Sequence, residues 1–204
     1  MNSKETTTGG FLQALASEAP TPGGGGASAV CGALGAALAS MVGNLTTGKK
    51  KYAQYEQDIR TILEKAENLR ERLITCVDED AACFEPLSRA YGIPKDDPFR
   101  DDIMEKALNT ACTAPVNILH LAADTIELHD ELLIKGSRIM LSDVGVGVLC
   151  CQTALKGAAL NVLTNTKLMK DRQRAEELNG EVNALLEKYV PMADKIYEEV
   201  FKNM

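Results

Sequence analysis

Asp80 is the residue whose position most suggests chemistry. Two seams of seven-residue spacing run along the stretch that holds it. Tyr55, Ile62, Leu69, Cys76, Cys83 and Ala90 make one; Ile59, Ala66, Leu73, Asp80 and Leu87 make the other. Every member except Asp80 is apolar. A carboxylate on such a stripe is costly unless it is paired, hydrogen-bonded or protonated, and acids of that kind are frequent in active sites. Asp78 lies about 200° round the same helix by the 3.6-residue period and faces away. The spacing therefore favours Asp80 over Asp78 as a working acid. A structural carboxylate paired with a Lys or Arg of another helix satisfies the same spacing.

Pro20-Thr21-Pro22 and the run Gly23, Gly24, Gly25, Gly26 form the second feature. Prolines stiffen the approach, and glycines let backbone come close to a bulky group. The apolar helix expected from Ala27 to Gly43 would turn its unpaired N–H groups and positive dipole end toward that run, as suits a carboxylate, a carbonyl or a ring edge. The order of a phosphate-binding P-loop is missing. A flexible linker ahead of a core helix fits the composition equally well. Further along, Asp143, Gly147, Cys150/Cys151, Ala154, Ala158, Asn161 and Asn165 share one helical face. They outline a groove with amides at one rim and an acid at the other, or simply a packed helix with polar ends. Lys156 and Lys167 flank it. Lys49-Lys50-Lys51 follows a helix end, where cations complement the dipole or could hold an anionic substrate tail. His120 and His129 have no Ser, Cys or metal partner at a recognised spacing and read as structural or surface residues.

These residues must be held by helices. The chain has 204 residues, enough for one domain with a substantial core. It is 45% hydrophobic with 4% aromatics and no Trp, so Ala, Leu and Gly carry the apolar content, which suits close-packed helices. A net charge of −7 argues against general nucleic-acid binding. Six cysteines (31, 76, 83, 112, 150, 151) show no Cys-x-x-Cys pair and lie mostly in apolar runs, which points to a reducing compartment. Met1–Glu5 lacks the apolar core of a signal peptide. Ala27–Val42 is short and rich in Ala and Gly, and Leu141–Ala159 contains Asp143, Gln152 and Lys156, so neither reads as a membrane span. The expectation is a soluble cytoplasmic protein.

Helical period dominates throughout. Helices are expected at 7–17, 27–43, 52–91, 99–135, 142–167 and 171–202. Pro115 and Pro191 are expected to kink or break the fourth and sixth, and Ser142 to cap the fifth. Ser28, Gly32, Ala36 and Ser40 form a small-residue stripe that lets two helices approach closely, within the subunit or across a dimer. The architecture is an all-α bundle of long helices with residues 1–204 as one domain.

Pro20-Thr21-Pro22-Gly23-Gly24-Gly25, Gly48-Lys49-Lys50-Lys51-Tyr52, Asp78-Glu79-Asp80-Ala81 with Phe84, Ser142-Asp143-Val144-Gly145 and Gly157-Ala158-Ala159-Leu160-Asn161-Val162 occur in one order. In that order the chain resembles the cyclodeaminase/cyclohydrolase family, the C-terminal domain of formiminotransferase-cyclodeaminase and its stand-alone bacterial counterparts. The resemblance implies an all-helical homodimer, a tetrahydrofolate derivative as substrate, no other cofactor and no metal. It also implies a catalytic carboxylate in the Asp-x-Asp-Ala block, carried here to Asp80 with Asp78 as the alternative. Substrate contacts are carried to Pro22, Gly23, Gly24, Gly25, Lys49, Ser142, Asp143, Asn161 and Asn165. Ser137-Arg138-Ile139-Met140-Leu141 departs from the family pattern ahead of Ser142-Asp143. Two reactions follow from the resemblance. The first choice is cyclodeamination of 5-formiminotetrahydrofolate to the 5,10-methenyl form with loss of ammonia, with a formiminotransferase as a separate partner. The second is hydrolysis of the methenyl form to 10-formyltetrahydrofolate. A folate-binding helical dimer without catalysis is a third reading.

Overall fold

The structure, a computed structural model, describes residues 2–204. Six α-helices carry the fold: α1 (Thr8–Leu15), α2 (Gly24–Asn44), α3 (Glu56–Ala90), α4 (Arg100–Lys135), α5 (Leu141–Thr166) and α6 (Arg172–Lys202). Short 3₁₀ segments, Lys50–Tyr55 and Arg138–Met140, lead into α3 and α5. Among the described residues there is no strand.

Helices α2, α3, α4 and α5 each pack on their neighbours in a ring, and α6 lies across α4 and α5. The small-residue stripe does its work inside this chain. Ser28 and Ala36 are buried, a Cβ at Gly32 would press on Leu73 and Ala154, and a Cβ at Gly35 would strike Cys151 Sγ and the Gly147 carbonyl. Backbones thus approach closely where α2 crosses α5. Both α3 seams face the core: Ile59, Ile62, Ala66, Leu69, Leu73, Cys76, Leu87 and Ala90 are buried. Helices α2 and α5 are long and apolar enough to cross a membrane by composition alone, yet each sets one face into the common core.

Several boundaries differ from the sequence expectation. Gly24, Gly25 and Gly26 are not a loop but the first turn of α2, with Gly23 as its N-cap. Lys50–Tyr55 is 3₁₀ rather than the start of α3. Ser142 lies inside α5, whose cap position is Met140. Pro115 and Pro191 stay within continuous helices, as does Pro86. Each removes one backbone bond, and packing of the long apolar faces outweighs that loss.

Candidate active site

The first turn of α2 points at α3. A Cβ at Gly25 would fall on the Asp80 carboxylate, so only glycine admits the acid there. Asp80 is partly buried, and burial raises its pKa above the ordinary carboxylate value. The Gly26 N–H at the helix start acts against that rise by favouring the charged form.

The wall opposite is α5. Gly157 lies so close to α2 that a Cβ there would hit Ser28 Oγ, and the Ser28 hydroxyl donates to the Gly24 carbonyl at 2.7 Å. One turn on, Asn161 donates to the Gly157 carbonyl at 2.8 Å and leaves its amide oxygen beside Gly24. Asn165 is 9% exposed and donates to the Ala111 carbonyl at 3.3 Å. That carbonyl is free because Pro115, four residues later, has no N–H to give it. A proline inside α4 thereby fixes an amide from α5.

Together these groups enclose a cavity of about 230 Å³ lined by Gly23, Gly24, Gly25, Asp80, Asn161 and Asn165. Phe84 from α3, Tyr91 at its C-terminal cap, Pro115 from α4, Thr164 from α5 and the Pro20–Thr21 segment complete the wall. Its lining holds one carboxylate and no Lys, Arg or His. Such a site suits a flat ring with hydrogen-bonding edges and a positive charge near the acid. A larger groove of about 470 Å³ lies between α3 and α4, where the acids Glu64, Asp124, Glu127 and Glu131 outnumber Lys65 and Arg72. No glycine brings backbone close to an acid there, although burial raises the Asp124 pKa as it does that of Asp80.

Four residues expected at the site lie elsewhere. Pro22 is buried against Gly26, behind the cavity wall. Ser142 and Asp143 start α5, about 27 Å of helix rise before Asn161. Lys49 follows the far end of α2 and donates to Ser137 Oγ at 3.1 Å. One helical face had joined Asp143 to Asn161, but a shared face does not bring its two ends together. The departing segment Ser137–Leu141 is also at that far end, away from the Asp80 cavity. Asp78 serves another purpose: both its oxygens accept from Ser3. Tyr91, Pro115 and Thr164 were not expected at the site. Tyr91 could have been found at the cap of the same helix, eleven residues from Asp80, and Pro115 by the carbonyl a helical proline frees.

A family profile described as formiminotransferase-cyclodeaminase matches residues 7–184, from α1 into α6. The chain belongs to that family. Relatives within the formiminotransferase-cyclodeaminase family divide into two kinds. The methenyltetrahydrofolate cyclohydrolase of Methylorubrum extorquens is 43% identical over 194 residues, covering 93% of both chains. The formimidoyltransferase-cyclodeaminase of Mus musculus is 30% identical over 187 residues, covering 90% of this chain but 35% of the mouse protein. The chain thus spans about a third of that longer relative. A solved structure of formiminotetrahydrofolate cyclodeaminase from Thermotoga maritima superposes with a TM-score of 0.86 at 26% identity, covering 98% of this chain and 96% of that one. Its likeness carries the all-α architecture over the whole length.

Proposed function

We propose that this protein is a methenyltetrahydrofolate cyclohydrolase. The observation that carries the reading is 43% identity across 93% of both chains to the Methylorubrum extorquens enzyme of that name, against about 30% to fused cyclodeaminases. This reverses the order of preference that the sequence motifs suggested. A cavity with one acid and no cation supports it, since the methenyl bridge carries positive charge.

In the proposed reaction, water attacks the bridging carbon between N5 and N10 of 5,10-methenyltetrahydrofolate. Asp80 as carboxylate accepts the water proton, forming a neutral tetrahedral carbinolamine. Asp80 returns that proton to N5 as the C–N5 bond breaks, and the hydroxyl proton leaves to solvent. The product is 10-formyltetrahydrofolate, with one net proton released. Before attack the carboxylate also stabilises the cation. Asn161 and Asn165 offer amide groups to the ring edge, and the first turn of α2 permits its close approach.

Cyclodeamination is the second reading, favoured by the Thermotoga maritima neighbour. There N10 attacks the formimino carbon and Asp80 moves a proton to the departing ammonia. A separate formiminotransferase would then supply the substrate, as the fused relatives' names suggest. Absorbance kinetics at the methenyl band separate the two. Accelerated loss of the band from methenyltetrahydrofolate, with no growth from 5-formiminotetrahydrofolate, supports the cyclohydrolase. Band growth with ammonia release overturns it in favour of the cyclodeaminase.

A further inference from the structure

The N-terminal arm is fastened to the side of α3 that faces away from Asp80. Ser3 donates twice to Asp78, its backbone N–H to Oδ2 at 3.0 Å and its hydroxyl to Oδ1 at 2.7 Å. Seven residues earlier on α3, Glu71 pairs with Lys4 at 2.7 Å, an exposed contact of small worth. The arm then passes through α1, where Phe11 is the buried side chain, and reaches Pro20 and Thr21 before Pro22 is pinned on the first turn of α2.

Pro20 and Thr21 form a partition. On one side is the cavity that holds Asp80. On the other is a second cavity of about 410 Å³, lined by Asp78, Ala81, Phe84, Glu85 and Ser88. A wall with empty space behind it lacks the close contacts that would hold it by packing. Its position comes from Pro22 at one end and, at the other, from Phe11 of α1 set in the core together with the doubly bonded Ser3 beyond it.

We propose that Asp78 is a positioning residue: by holding Ser3 it latches residues 2–21 as a strap and keeps Pro20 and Thr21 against the substrate in the Asp80 cavity. The proposal rests on the reading of that cavity as the folate site. The two aspartates divide the work, one facing the reaction and the other closing the wall beside it. Opening the strap lowers the fraction of protein competent to bind, so apparent affinity falls while the bound complex reacts as before.

The test uses the full chain with Asp78→Ala, Ser3→Ala and the double variant, assayed with methenyltetrahydrofolate. Asp78→Ala is expected to raise KM about tenfold and to leave kcat within about twofold. Ser3→Ala, which keeps the backbone N–H bond, raises KM less. The double variant is no worse than Asp78→Ala, because both changes undo one latch. A glutamate-specific protease, cutting after Glu18 without folate present, reads the strap directly and should cleave Asp78→Ala about tenfold faster. A fall in kcat at constant KM puts Asp78 in the chemistry and overturns the proposal. Unchanged KM in both single variants, or unchanged cleavage, overturns it equally. If wild-type protein turns over no folate, the underlying functional reading fails, and the protease rates still decide whether Asp78 latches the arm.

Discussion

Asp80 joins three effects at one carboxylate: a seam position on α3, partial burial, and a helix start facing it. Burial raises its pKa, and the Gly26 N–H opposes the rise. As proposed general base it works ionised. The cyclohydrolase rate is therefore expected to climb with pH through that raised pKa and level off above it. Asp80→Asn should lose this limb and about 100-fold or more in kcat. Stability carries the opposite sign. A raised folded-state pKa favours folding below the ordinary carboxylate value of 3.8, and that advantage is lost as pH rises through the folded value. Asp80→Asn should accordingly melt higher than wild type near neutrality, with the gap closing under acid, as thermal scans across pH would show. Gly25→Ala tests the same point from the facing helix. Its methyl group would occupy the carboxylate position, so activity should fall about as far as in Asp80→Asn while the helical circular dichroism persists.

The crossing of α2 with α5 is what sets the cavity's width, and it is tuned for small residues. His129 of α4 inserts there, fully buried, with Nε2 donating to the Gly35 carbonyl at 3.0 Å and Nδ1 without a partner. A Cβ at Gly147 would strike its ring, so Gly147→Ala is expected to cost about 1–3 kcal/mol in denaturant melts. Burial pushes the His129 pKa down to about 4 from 6.5. The neutral ring is the native form. Its contribution is full above pH 6.5 and disappears as pH falls to about 4, an acid lability of about 3 kcal/mol. His129→Phe should flatten that part of the stability–pH curve; an unchanged slope would assign the acid loss to other groups. The packing of α5 on α4 explains the continuous α4. Pro115 is buried, and its orphaned carbonyl partner at Ala111 is satisfied by Asn165 rather than by a helix break.

At the scale of the molecule, the outer face of α2 is apolar, and that of α5 mixes apolar side chains with Thr153 and Lys156. α2 carries no charged residue, and Leu34, Met41, Leu45, Val146, Leu149 and Leu160 are exposed along the two helices. We propose a second copy of this chain as the occupant, in line with the homodimer that the family resemblance implies. An antiparallel pairing of α2 with its copy, as two-fold symmetry allows, buries no charge of α2. Leu34, at the middle of α2, would then lie near the symmetry axis. Leu34→Glu would place two carboxylates there, and sedimentation is expected to show a monomer where wild type is a dimer. A wild-type monomer would sink the proposal. The six cysteines are all free.

Periodicity along the chain determined a good deal of this. Seven-residue seams identify α3 and the face it buries, and they separate Asp80 from Asp78 because two residues on a helix point to different sides. Glycines at 23–26 mark a close approach, and Gly25 meets Asp80 itself. What periodicity cannot express is level: a repeat assigns a face but not the height at which another helix meets it. Asp143 and Asn161 share a face of α5 yet stand near its two ends, and Lys49 follows the end of α2 remote from the cavity. Contacts between helices made the remaining decisions. They brought Pro115, Asn161 and Asn165 round the acid, turned the expected glycine loop into a helical first turn, and bound Asp78 to Ser3, seventy-five residues away. Each depends on packing between segments distant in sequence, where steric fit and burial act across space and leave no period to read.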